Sequence, residues 1–247
     1  MKTPFKLDDG IASKAALGLI VLEKDETLEP ECAPLFAEEG VALYHSRICS
    51  DDAVTPETLG TMAEDLPRAL ALLPTARSLN VVAYACTSGA TVIGQEKIAE
   101  MIRAVHPTAA TTDPISAVIE ACRHLGLRRL GMLTPYSEEV SMAMRMLLEK
   151  ADLLVTQFAS FEQTQDPVVA RISPTSVQAA IRDINDDGDV DAVFVSCTNL
   201  RTLSVIGAAE ADIGKPVISS NAALIWHMRR LAGLRPLVGG PGRLLRS

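Results

Sequence analysis

Short apolar runs alternate along the chain with longer stretches in which apolar positions recur every three or four residues. The first pattern suits strands buried on both faces and the second suits amphipathic helices, so their alternation predicts an α/β protein with parallel sheets. Strands are expected over 16–22, 41–48, 79–85, 130–134, 153–160, 190–195 and 216–219, with helices filling most of the gaps. Thr55-Pro56, Asp113-Pro114 and Ser173-Pro174 each place a capping oxygen before a proline. Proline loses nothing at the first helical position, where its missing N–H would be unpaired anyway. Helices of about 18 and 12 residues are expected from Pro56 and Pro114, and a third from Pro174.

The pattern repeats. Leu17-Gly18-Leu19-Ile20-Val21 matches Leu130-Gly131-Met132-Leu133-Thr134 at an offset of 113, and Cys86-Thr87 matches Cys197-Thr198 at an offset of 111. Two matches at nearly one offset imply a duplicated half. The expected architecture is two pseudo-symmetric lobes, each a parallel sheet with helices on both faces and an active site in the cleft between them. Residues 1–112 plus 218–247 make the first lobe and 113–217 the second. Ligands of such sheets bind at the carboxyl ends of the strands, where both cysteines fall.

Composition narrows the choice. With 48% hydrophobic and 22% charged residues in 247, the chain is globular, and no apolar run approaches the roughly 20 residues that span a bilayer. A net charge of −8 argues against a nucleic-acid partner. The first fifteen residues carry no secretory pattern, so a cytoplasmic location is expected, without a membrane partner. A homo-oligomer is expected. Five cysteines, an odd number without a C-x-x-C pair, read as free thiols rather than as disulfides or a zinc site. No G-x-S-x-G, P-loop or dinucleotide fingerprint is present.

A free thiol has a pKa near 8.5, so about 3% is ionised at pH 7. If each cysteine leads directly into a helix, the N–H groups of Thr87, Ser88 and Gly89, and of Thr198 and Asn199, point at the sulfurs. A helix N-terminus lowers a thiol pKa by about one unit, so both should react faster than Cys122. The same N–H groups can cradle a carboxylate, with Gly89 admitting close approach. Two thiols on opposite faces of a carbon acid suit racemisation, one taking a proton and the other returning one. Alternatively, one thiolate adds to an electron-poor double bond while the other thiol supplies a proton. Neither scheme uses a metal or an organic cofactor. Cys122 shares a helical face with Ile115, Val118 and Ile119 and reads as core, while Cys32 and Cys49 carry no motif. A two-lobed sensor that closes on a small acid without reacting is the alternative from another class.

The repeated Cys-Thr turns, the Gly18-Leu19-Ile20-Val21 strand with Glu29-Pro30-Glu31 after it, the Pro135-Tyr136 turn and the Gly239-Gly240-Pro241-Gly242-Arg243-Leu244-Leu245 tail resemble the aspartate/glutamate racemase superfamily, in its maleate isomerase and arylmalonate decarboxylase branch. The resemblance implies a cofactor-independent isomerase or racemase acting on a small carboxylate through Cys86 and Cys197, with Tyr136 holding substrate. Asp25 and Asp166 stand where maleate isomerases carry asparagines. A negative charge about 4 Å from a bound carboxylate costs roughly 4 kcal/mol at an effective dielectric of 20. The substrate expected is therefore one with a single carboxylate and a cationic nitrogen. With Asp25-Glu26-Thr27, the likeness extends to the ectoine-utilisation branch, whose members are associated with breakdown of ectoine and hydroxyectoine. Maleate cis-trans isomerisation and arylmalonate-type decarboxylation are the alternatives. Asp25, Thr87, Ser88, Gly89, Tyr136, Asp166, Thr198 and Asn199 are expected to surround the two thiols.

Overall fold

The computed structural model of the chain describes residues 1–186 and 189–247. The first half runs β1 (Ala15–Leu22), α1 (Leu28–Cys32), β2 (Val41–Ile48), α2 (Pro56–Ala71), β3 (Val81–Ala85), α3 (Thr87–Ile93), α4 (Gln95–Val105), β4 (Ala110–Thr112) and α5 (Pro114–Leu125). The second runs β5 (Arg129–Thr134), α6 (Glu138–Lys150), β6 (Leu154–Ser160), α7 (Asp166–Val169), α8 (Pro174–Asp186), β7 (Ala192–Val195), α9 (Leu203–Ile213), β8 (Val217–Ser219), α10 (Ser220–Leu231) and α11 (Gly242–Leu245). The two sheets are ordered β2-β1-β3-β4 and β6-β5-β7-β8, and every pairing within them is parallel. Identical order in the two halves is what duplication predicts.

Burial explains which residues make the central strands. All eight residues of β1, all five of β3 and all four of β7 are buried, as in strands covered on both faces. The three proline-led helix starts form as expected. Thr55 accepts from the Thr58 N–H, Asp113 from those of Ile115 and Ser116, and Ser173 from that of Ser176. The strand missed in the sequence is β4. Its Ala-Thr-Thr is too short and too polar to stand out as an apolar run, and it forms because its backbone completes the edge beside β3.

The helices after the fourth strand of each half, α5 and α10, pack against each other, so the pseudo-symmetric halves meet there. The apolar core is continuous through both. The carboxyl ends of β1, β3, β5 and β7 consequently converge on one seam between the lobes.

Gly131 shows how tightly the second sheet is covered. A Cβ at this position would collide with Cγ2 of Ile184 on α8, a β-branched side chain with little freedom to move aside. Gly131→Ala is predicted to destabilise the fold by about 1–3 kcal/mol, measured by urea unfolding. An unchanged midpoint would show that α8 does not press on this strand.

Candidate active site

Cys86 and Cys197 come directly after β3 and soon after β7, and they border the same cavity, together with Leu22, Met62, Ser88, Tyr136, Asp166 and Thr198. The turns that carry them are tied together. Thr198 Oγ1 donates to the carbonyl of Ala85 at 3.4 Å, and Thr87 Oγ1 donates to Ser220 Oγ at 2.8 Å. Ser220 Oγ also accepts the Cys197 N–H at 3.1 Å. Tyr136 lines the cavity with both cysteines, and its hydroxyl is hydrogen-bonded to Cys197.

Cys86 is the N-cap of α3. Its Sγ accepts the Gly89 N–H at 3.2 Å and lies 3.5 Å from Ser88 Oγ. Gly89 is required here for a reason beyond backbone approach. A Cβ on it would collide with the Tyr84 hydroxyl and stand 2.9 Å from Met62 Cε and 3.1 Å from the Cys86 sulfur.

The second turn differs from the expected pattern. No helix starts directly after Cys197, because residues 198–202 form an irregular turn and α9 begins only at Leu203. The Cys197 backbone takes a φ of 100°, in the left-handed region that favours glycine. Such a conformation costs about 1–3 kcal/mol in a residue with a Cβ and persists only where surrounding bonds impose it. The sulfur still accepts the Asn199 N–H.

The expected lowering of both thiols below the ordinary range does not follow: at Cys86 the helix end acts but burial outweighs it, leaving the thiol still below Cys122 at about 12, and at Cys197 no helix starts. Burial pushes the Cys86 thiol up to about 11 against the hydroxyl of Ser88 and the N–H of Gly89, and it pushes Cys197 well above the ordinary thiol range. Asp166 and Asp25 raise both further by their charge. Only about one Cys86 in ten thousand is ionised at pH 7 with the cavity closed. Desolvation wins because each sulfur is in a residue only 4% exposed, whereas a helix end contributes about one unit. All five cysteines are free thiols, and Cys49 is the exposed one.

The remaining expected residues separate into two sets. Ser88, Tyr136, Asp166 and Thr198 line the cavity with the cysteines. Asp25, Thr87, Gly89 and Asn199 lie behind that wall. Asn199 is fully engaged: its Oδ1 accepts the Glu26 N–H, and its Nδ2 faces the carbonyls of Lys24 and Asp166 and the Asp166 carboxylate. Asp25 Oδ1 accepts the N–H groups of Thr27 and Leu28, each at 2.8 Å. Its Oδ2 is buried without a partner, on the side facing Thr198. Burial raises the pKa of Asp25, and it raises that of Asp166 to about 6. Arg47 does not reach the cavity. Its guanidinium holds the carbonyls of Leu22, Glu23 and Asp25 and pairs with Glu29, fixing the loop that carries Asp25.

Apart from Asp166, the sequence did not single out the roof. Residues 50–54, after β2, and 164–166, after β6, join across the lobes through an antiparallel bridge at Ala53 and Gln165. The Val54 N–H donates to Thr164, and the Asp166 N–H to Asp52. Such loop residues have no periodicity to reveal them. The cavity beneath this clasp measures about 20 Å³, room for a single water. No Lys, Arg or His lines the cavity. Among the described residues, no group of three or more His, Cys, Asp and Glu side chains could hold a metal.

The comparisons agree with this fold. Residues 17–245 match the family model described as arylmalonate decarboxylase. A maleate isomerase of Nocardia farcinica is 28% identical over 241 residues, covering 94% of this chain and 95% of its own. The structure of the maleate isomerase Iso from Pseudomonas putida S16, a cysteine-to-alanine variant with maleate, superimposes with a TM-score of 0.87 at 28% identity, covering 94% of this chain and 97% of that one. A cysteine-to-serine variant of the Nocardia farcinica maleate cis-trans isomerase, with a covalently bound succinylcysteine intermediate, gives 0.83 at 25% identity, covering 94% and 98%. Through the match along nearly its whole length, this chain belongs to the arylmalonate decarboxylase family of enzymes.

Proposed function

We propose that the protein is a cofactor-independent racemase, epimerase or cis-trans isomerase in which Cys86 and Cys197 act on a small carboxylate substrate. The observation that carries this is the placing of two thiols, from equivalent turns of a duplicated fold, on one closed cavity. For a carbon acid, the thiolate of one cysteine takes the α-proton and the thiol of the other protonates the opposite face. The two sulfurs then exchange protonation states. For a cis-trans substrate, a thiolate forms a C–S bond to one alkene carbon while the other thiol protonates its neighbour. Rotation and elimination return the alkene, and the proton goes back to the sulfur that gave it. The succinylcysteine intermediate of the Nocardia farcinica enzyme supports cysteine chemistry of the second kind in a relative.

The finer proposal is a substrate with one carboxylate and one cationic nitrogen, as in ectoine and hydroxyectoine breakdown. The Ser88 hydroxyl is a neutral partner for the carboxylate, the Thr198 hydroxyl becomes another on turning from the Ala85 carbonyl, and Asp166 borders the cavity with Asp25 behind it. A cation there relieves the unpaired Asp25 oxygen and favours a thiolate nearby. Maleate isomerisation or arylmalonate-type decarboxylation is the second reading, favoured by the relatives. In it Asp25 and Asp166 stay protonated and donate hydrogen bonds as asparagines would.

The division into 1–112 plus 218–247 and 113–217 stays part of the proposal, supported by sheet membership, except that Ile218 and Ser219 pair with β7. So does a homo-oligomer, since edge strand β6 leaves Leu154 and Phe158 exposed for a second copy. A solution mass of a single chain by light scattering would refute it. No described helix is long and apolar enough to cross a membrane, and a cytoplasmic location is proposed with it.

Cys86→Ser and Cys197→Ser should each lower turnover by at least a thousandfold while substrate still binds by calorimetry. Turnover surviving both changes would mean another mechanism, and binding without turnover in the wild type would leave a binding protein. Charge is tested at Asp166. With a zwitterionic substrate, kcat/KM should rise as pH passes upward through about 6, where Asp166 ionises, and Asp166→Asn should flatten that limb while easing entry of maleate. Both activities falling together would mean simple damage. The same raised pKa makes ionised Asp166 a cost to the fold. Asp166→Asn should therefore stabilise the protein by up to about 3 kcal/mol at pH 8, and the gain should disappear below the ordinary carboxylate range, where Asp166 is protonated in folded and unfolded chains alike.

A further inference from the structure

Three consecutive polar residues at the end of β8 and the start of α10, Ser219, Ser220 and Asn221, are each 0% exposed. Burying polar groups this deeply is costly unless they are hydrogen-bonded. Ser219 has an ordinary use, capping α10 through the Ala222 N–H. The other two point away from their own helix, and their bonds run to both lobes.

Ser220 Oγ receives two donors: Thr87 Oγ1 from the residue after Cys86, and the backbone N–H of Cys197 itself. A hydroxyl offers two acceptor positions, and here both are filled. Asn221 Nδ2 donates to the Thr198 carbonyl at 2.9 Å and to Glu31 Oε2 at 2.7 Å. Glu31, on α1, uses its other oxygen to accept the N–H groups of Thr202 and Leu203 at 2.9 and 3.0 Å. The irregular segment from Cys197 to Leu203 is therefore gripped at its first N–H, at the Thr198 carbonyl and at its last two N–H groups. Every one of these bonds leads to Ser220, Asn221 or Glu31.

We propose that Ser220 and Asn221 are positioning residues that brace the Cys197 turn in its left-handed conformation and fix it against the Cys86 turn. The need for a brace lies in the asymmetry of the two turns. Cys86 is held by the regular start of α3, whereas Cys197 has no helix behind it and a φ of 100°. An acceptor for the Cys197 N–H and a donor for the next carbonyl supply what a helix would have supplied. Because Ser220 also takes Thr87, a shift in one turn is transmitted to the other, and the two sulfurs keep one separation through a reaction that needs them on opposite faces of the substrate.

The proposal rests on Cys86 and Cys197 being the acting pair, but its test reads the geometry of the turn and needs no substrate. Wild type, Ser220→Ala and Ser220→Thr are labelled with iodoacetamide, and each cysteine peptide is followed by mass spectrometry. In Ser220→Ala the Cys197 rate should rise at least fivefold as the turn relaxes and the sulfur opens to solvent. Cys122, buried in α5, should stay within twofold of wild type, and Ser220→Thr, which keeps the hydroxyl, should restore the wild-type Cys197 rate to within twofold. An unchanged Cys197 rate, a parallel rise at Cys122, or a threonine variant that behaves like the alanine one would overturn the proposal. Amide hydrogen exchange on the wild type by NMR keeps it testable if the alanine variant does not fold. The Cys197 N–H should exchange at least a hundredfold more slowly than the exposed Asp9 N–H, and equal rates would overturn it. If labelling behaves as expected but both Cys→Ser variants remain active, the brace stands and the two-thiol chemistry falls.

Discussion

Desolvation of two sulfurs in one cavity is the constraint on which the rest of the site depends. In water a thiol ionises near pH 8.5, and a helix end lowers that further. Here the lobes and the clasp remove the water, and both thiols keep their protons. The cavity therefore holds two protonated thiols, with the Asp166 carboxylate on its wall. Asp166 and Asp25 oppose thiolate formation when charged. On the proposed reading, a substrate carrying a cationic nitrogen reverses that opposition as it enters.

Much of the fold is legible in the sequence because it derives from periodicity. Apolar runs mark seven of the eight strands, and proline after a capping side chain marks three helix starts. The repeat announces the matching sheet orders. β4 escapes because three residues at a sheet edge need no apolar signature, only an adjacent strand with free backbone groups. The cysteine turns are legible for a related reason: Cys86-Thr87 and Cys197-Thr198 end equivalent strands, and parallel sheets place ligand sites there.

The path of the chain beyond each cysteine is not legible. The two turns look alike in sequence, but one enters a helix and the other makes an irregular crossing to Leu203, held by the distant Glu31, Ser220 and Asn221 side chains. Nor does sequence distinguish a residue on the cavity wall from one just behind it. Asn199 and Thr87 have the character of substrate contacts, and their polar atoms are instead committed to the protein. Thiol ionisation escapes for a different reason: local dipoles can be read from sequence order, whereas burial depends on everything packed around the site.

Solvent deuterium exchange tests the central claim most directly. Wild type and the two Cys→Ser variants would be incubated in heavy water with a panel of small amino and hydroxy acids, ectoine-derived acids, aspartate and maleate, with incorporation read by NMR or mass spectrometry. The account predicts that wild type converts at least one panel member or labels it, with deuterium at the reacting carbon where that substrate is a carbon acid, and that neither variant completes the conversion. Absence of exchange and conversion across the panel, or turnover that persists without either cysteine, would contradict two-thiol acid–base catalysis at this cavity.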